Sequence, residues 1–437
     1  MSTFRYISPT KQYHPGTKLE LWPYKPAEPH GRSQYTRNPL PRDLHPGWMR
    51  NFDPTNVNNR AEEAAVIEID EMIHGGDNHL AQILACNLVD APKHQRSPEE
   101  LTQLTKDGEP VKVQIVAEIF DPEFYPGGTG APYDNDEQAD GNLSCADAAL
   151  RHLFTKGLTG HPHFAPQYYG CWVARIQARQ RSTGRVTERF VGVVLREHII
   201  GHSIEALCHR DEYGQLLPFE GRVFFHDSDD AEEGQVCLEL EKEVCQDILK
   251  QALHGAVCHL HVGVKHEMFE PKNIYLTMRD GEFDLEKPRA VLLGYMRAQV
   301  WSKTTEAQGL LELKQLLEHL AYPPHPRLRF GFRAVDDFVG WFPSPPDGWY
   351  GNEPATFDSK KEYEDWIISE EVFGPLVEAA EVEKGLEDGA EWPYPYGKYS
   401  LFKSLDAVKE DLLRQRQERR RLAEQQQSPK DTPAATA

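Results

Sequence analysis

The chain lacks any run approaching the roughly 18 consecutive apolar residues needed to cross a bilayer. Residues 1–13 also lack the apolar core of a secretory signal. Both absences point to a soluble intracellular protein, cytoplasmic or, given an arginine-rich tail, nuclear. Paired cysteines are missing as well: Cys86, Cys145, Cys171, Cys208, Cys237, Cys245 and Cys258 are odd in number, scattered and never spaced C-x-x-C. That excludes a zinc ribbon or a disulfide scaffold and suits reduced thiols. Positive charge is scarce. Lys and Arg number 48 against 69 Asp and Glu, a formal charge of −21, and such a field repels polyphosphate and anionic lipid. Neither nucleic acid nor membrane is expected as a partner. No internal repeat is visible, and no G-x-S-x-G elbow or Ser-His-Asp order marks a hydrolase. What remains is globular usage: 437 residues, 39% hydrophobic and 27% charged, with 8 Trp, 17 Tyr and 19 Phe. This is too aromatic for a disordered chain and long enough for two or three domains.

The first 54 residues carry nine prolines, a density that is expected to forbid continuous helix or central strand. Residues 1–60 therefore read as an extended Pro-rich arm. Its aromatics dock on the next domain or, alternatively, the arm serves as a Pro-rich ligand for another protein. From residue 63 a two-residue period in Ile67, Ile69 and Ile73, the turn Gly75-Gly76 and a second apolar run over 79–89 predict strand, turn, strand; an amphipathic helix over 61–73 is the alternative for the first piece. A third strand follows over 111–120. Residues 127–141 read as an acidic, solvated loop. Ser144 with Asp147 makes a capping pattern for a helix ending near Phe154. Strands over 167–175 and 189–195 complete the sheet, with a hairpin at 182–185. Past Gly201 the pattern turns helical, over 204–209, 238–260 and 306–320. The order, sheet first and helices afterwards, predicts an α+β, two-lobed layout. Residues 331–410 form a loop-rich extension with helices. Residues 411–437 form a basic, Gln-rich tail, a solvated helix fraying into disorder or a nuclear-localisation signal.

Three strings carry a resemblance. The first is Gly263-Val264-Lys265-His266-Glu267-Met268-Phe269-Glu270-Pro271-Lys272-Asn273-Ile274, preceded by a long amphipathic helix; the others are Val116-Ala117-Glu118-Ile119 and Val194-Leu195-Arg196-Glu197-His198-Ile199-Ile200-Gly201. Together over residues 63–320 they resemble the protein-kinase superfamily, in particular the divergent kinase-like proteins of filamentous fungi. The resemblance implies an antiparallel β-sheet N-lobe over 61–200 and a shortened helical C-lobe over 201–330. It also implies a cofactor cleft edged by a hinge at Arg196, Glu197, His198 and Ile199 and by the turn Gly75-Gly76.

Phosphoryl transfer relies on positioned charge: a lysine on the phosphates, metal-binding carboxylates and a catalytic aspartate. At the positions the resemblance assigns to these, the sequence has Glu118 for the strand lysine, Met268 for the catalytic aspartate, Glu270 for the neighbouring lysine and Gly294 for the metal aspartate. His266 and Asn273 are retained. Glu118 repels a triphosphate, and one neutral amide does not hold Mg²⁺. Arg151, one turn along the helix, is placed to form a reversed ion pair with Glu118. The expectation is a pseudokinase acting as a protein-interaction scaffold, with a protein partner, ATP and Mg²⁺ binding weak or absent, no metal site, and oligomeric state unspecified. The alternative is a phosphotransferase using Asp121, Asp147 or Asp284 in migrated roles. Clustered histidines (His259, His261, His266; His161, His163) fit no zinc spacing and read as structural.

Overall fold

The computed structural model describes residues 12–305, apart from 46, 48, 94–104, 107–108, 111–113, 127–133, 180–185, 213–215, 226–236 and 282, together with 337, 338, 340, 341 and 366. The expected helix over 306–320, the hairpin at 182–185 and the basic tail lie outside the described residues.

Six strands close into an antiparallel barrel. They are β1 (Lys18–Pro23), β2 (Ala65–His74), β3 (Gln82–Asp90), β4 (Ile115–Phe120), β5 (Tyr168–Arg179) and β6 (Val186–Glu197), joined in the order β1-β2-β3-β4-β6-β5. The two-residue period does what it should: Ile67 and Ile69 of β2, Leu84 and Cys86 of β3, Ile115, Ala117 and Ile119 of β4, and Val191, Val193 and Leu195 of β6 fill the interior. Register shifts after Ile69 and Met72 break that period, and Ile73 ends up 41% exposed.

The barrel overturns the expected two-lobed, kinase-like fold. An open sheet has two edges; here β1 pairs with both β2 and β5 and removes them. The Pro-rich arm thus contributes a strand paired on both sides, contrary to the reading of its prolines. The reason is local: residues 18–22 are free of proline, and Pro23 falls at the strand's end, where a missing N–H costs little. The helical second half is corrected too. Residues 204–209 form a short 3₁₀ turn and a strand, and among the described residues beyond Gly201 one long helix forms, α2 (Lys242–His261). It packs on a hairpin made of β9 (Ile274–Asp280) and β10 (Phe283–Leu292), with β7 (His202–Ser203) alongside. A short pair, β8 (Val264–Lys265) with β11 (Gln299–Val300), lies between this unit and the barrel. The apolar positions Ile248, Leu249, Ala252, Leu253 and Ala256 of α2 meet Ile274, Leu276 and Leu292 in a second core.

The helix α1 (Asn135–Thr155) crosses the outer wall of the barrel. Its N-cap is Asp134, whose side chain accepts the Glu137 N–H at 2.8 Å, so the helix starts ten residues before the Ser144 pattern and takes in much of the expected acidic loop. Ser144 is instead fully buried in mid-helix. Two glycines permit the packing. A Cβ on Gly192 of β6 would lie 2.2 Å from Leu143 Cδ2, and one on Gly141 of α1 would lie 3.2 Å from the His30 carbonyl of the arm. Among the described residues no helix is long and apolar enough to cross a membrane.

Candidate functional site

The sequence-marked residues gather along a seam where the outer wall of the barrel meets α1 and the loops around 266–273 and 294–297. Interior and exterior alternate along β4 and β6, so Glu118 and Arg196 both face outward, toward α1 rather than into the barrel. They are 3% and 6% exposed, and Glu118 Oε2 lies 3.9 Å from Arg196 Nε, an ion pair too long to be a hydrogen bond. Burial pushes the Glu118 carboxyl above its ordinary range, with Arg196 pulling it back. Burial likewise lowers the Arg196 guanidinium, with Glu118 opposing. Tyr295 caps this corner at 1% exposure; its hydroxyl and Arg196 Nε have no hydrogen-bond partner among the described residues.

Below Tyr295 the 263–274 string is tied to itself. Met268 N–H donates to His266 Nδ1 at 3.1 Å, and Asn273 Nδ2 donates to the Met268 carbonyl at 3.0 Å. The His266 ring stands edge-on to Tyr295, centroids 4.9 Å apart. Burial holds the His266 imidazole down at about 4, and the nearby, fully buried His259 at about 3. Gly294 takes the left-handed conformation, φ 85°, that turns the chain into Tyr295. Glu270 pairs with Lys272 Nζ at 2.5 Å, so the lysine two residues on neutralises that carboxylate.

The remaining expected site residues are engaged within the fold. Glu197 accepts two hydrogen bonds from Arg289, at 2.7 and 3.2 Å, and one from the Gln167 N–H at 2.9 Å. His198 Nδ1 lies 2.6 Å from Gln114 Oε1, and Ile199 is buried. At the Gly75-Gly76 turn, Gln82 bonds both ways to Gly76, accepting its N–H at 2.8 Å and donating to its carbonyl at 3.1 Å. That amide is thus unavailable to a phosphate. The anticipated Glu118–Arg151 pair does not form: Arg151 donates to Asp147 at 2.9 Å, and Tyr168 donates to the same carboxylate. Asp121 is held by Arg189 and by the Tyr13 hydroxyl. Asp284 lies on the β9–β10 hairpin, half-exposed and 3.6 Å from Arg279. The three carboxylates of the migrated-residue reading therefore sit on different elements, each with a cation beside it.

One constellation escaped the sequence. His30 of the arm sets Nε2 3.1 Å from Asp140 Oδ2 and Nδ1 3.2 Å from Ser144 Oγ, a Ser-His-Asp succession. It is not arranged for attack: Ser144 Oγ donates to the Gly141 carbonyl at 2.8 Å and is fully buried, and Asp140 is shared with Arg50 at 2.9 Å. It clamps the arm to α1. Partners 90 to 114 positions apart leave no local spacing to read. Among the described residues no group of three or more His, Cys, Asp or Glu side chains is poised around a common point for a metal. No family model matches the chain, and no curated protein matches it.

Proposed function

We propose that the chain acts by binding another protein, in the cytoplasm or nucleus, with its kinase-like strings kept as structure rather than as phosphoryl-transfer machinery. The observation that carries this is the Glu118–Arg196 pair. A nucleotide bound along the seam would meet a carboxylate where the reaction needs a cation, and the arginine nearby already faces that carboxylate. Met268 supplies no base, and the neutral Asn273 amide, whose Nδ2 donates to the Met268 carbonyl, does not hold Mg²⁺ on its own. Seven free thiols suit a reducing compartment. The charge of −21 favours a basic surface on the partner.

A thermal melt of the full chain with ATP and Mg²⁺ tests the reading. A competent site at one hundred times its dissociation constant gains about 2.7 kcal/mol, a rise of several degrees. The expected result is no shift. A saturable rise that a Glu118→Lys variant alters would restore the phosphotransferase alternative.

A further inference from the structure

A cavity of about 490 Å³ opens between the arm, the first two turns of α1, the end of β4 and the middle of β6, within the size range of small-ligand sites. Leu40, Met49, Phe120, Leu143 and Phe190 give it apolar walls, and Glu123, Asp136, Asp140, Arg50 and Arg189 supply its charge. Both arginines already face carboxylates, although Arg189 Nε has no partner among the described residues. Arg50 donates to Asp140 and twice to Asn38, through its side-chain and main-chain oxygens. Arg189 grips Asp121 with both terminal nitrogens and also reaches Glu123. The carboxylates are not all answered. Asp136 forms no hydrogen bond or ion pair with any described residue, and Asp140, 6% exposed, has an Oδ1 without a partner among them. With Asp121 included, four carboxylates stand against two guanidinium groups, a local excess of two negative charges. Burial and neighbouring carboxylates push both Glu123 and Asp136 up, with Arg189 opposing, as unbalanced charge in a partly desolvated space should.

We propose that this cavity binds an organic ammonium ion on an apolar body, the ammonium at the Asp136 side and the body against Phe120, Phe190 and Leu143. An ammonium donates three hydrogen bonds and accepts none, which matches a wall with surplus acceptors, and Phe120 and Phe190 give the apolar body a surface to pack on. An anion would meet the opposite balance. The same chemistry occurs in a free amine and in a lysine side chain of a partner protein. The inference does not rest on the nucleotide reading and stands or falls separately from it.

Calorimetric titration of the full chain with 2-phenylethylamine, with its uncharged counterpart 2-phenylethanol, and with N-acetyl-lysine amide tests the proposal. At least one ammonium probe should bind about tenfold or more tighter than the alcohol, and which one does distinguishes a free amine from a lysine side chain. Asp136→Asn, at an exposed position, should erase most of that preference. Leu40→Trp, at a partly buried position of the arm on the cavity wall, should fill the cavity and abolish binding. Equal affinity for amine and alcohol, no binding of any probe, or binding unchanged in Leu40→Trp would overturn the proposal.

Discussion

At the residue scale the molecule is governed by buried polar groups whose ionisation is fixed by surroundings rather than by solvent. His259 and His266 show it most plainly, held at about 3 and about 4 against an ordinary 6.5. The unfolded chain takes up protons on these rings below about pH 6.5 while the folded one refuses them. Stability is therefore complete above that pH and is lost as pH falls toward 4, by about 1.4 kcal/mol per pH unit for each ring. Urea midpoints at pH 7 and pH 5 should differ accordingly, and His259→Phe, which leaves the Met268 contact of His266 intact, should make the pH dependence shallower. An unchanged slope would mean that His259 is protonated in the fold. A second residue-scale test concerns Arg151. A double-mutant cycle with Asp147 should give a coupling of about 1 kcal/mol or more, and one with Glu118 none within error; the reverse would put the pair where the sequence first suggested it.

Among the elements, the contact of α1 with β6 decides how closely helix and barrel approach. Gly192→Ala places a methyl into Leu143 and should cost about 1–3 kcal/mol in denaturant unfolding, with Leu143→Ala recovering part of the loss when combined. Additive losses would show that the two sites do not touch. The arm is the other decisive element. Removing residues 1–24 deletes β1 and exposes the edges of β2 and β5, so the truncated chain should lose its cooperative melt. A sharp transition near that of the full chain would mean that the barrel does not need the arm. The contrast between these elements explains what was legible in the sequence. Strands β2 to β6 were legible because apolar residues such as Ile67, Leu84, Ala117 and Val193 recur at every second position, although the first of these segments also read as an amphipathic helix. Strand β1 was not, since seven residues between Pro15 and Pro23 carry little periodic signal and its pairing partners lie far along the chain. The start of α1 was missed because Asp136, Asp140 and Gly141 look like a solvated loop; Gly141 is there for the close approach of His30, a constraint visible only in three dimensions. Of the seam, sequence marked Glu118, Arg196, His266 and Asn273, but not Tyr295 as the side chain that joins them, nor Arg196 as the cation facing Glu118.

On the scale of the whole molecule, a closed barrel and a helix-on-hairpin unit meet along a seam whose charges the chain satisfies or opposes from within. The chain as a whole carries a net charge of −21, so on the proposed reading an incoming triphosphate would meet repulsion at long range and Glu118 at short range. The claim that organises the account is that this seam does not hold magnesium nucleotide. Crystals of the full chain soaked in ATP and Mg²⁺ test it most directly: the account predicts unchanged density around Glu118, Arg196 and Tyr295, whereas an ordered nucleotide with a coordinated cation against those side chains would contradict it.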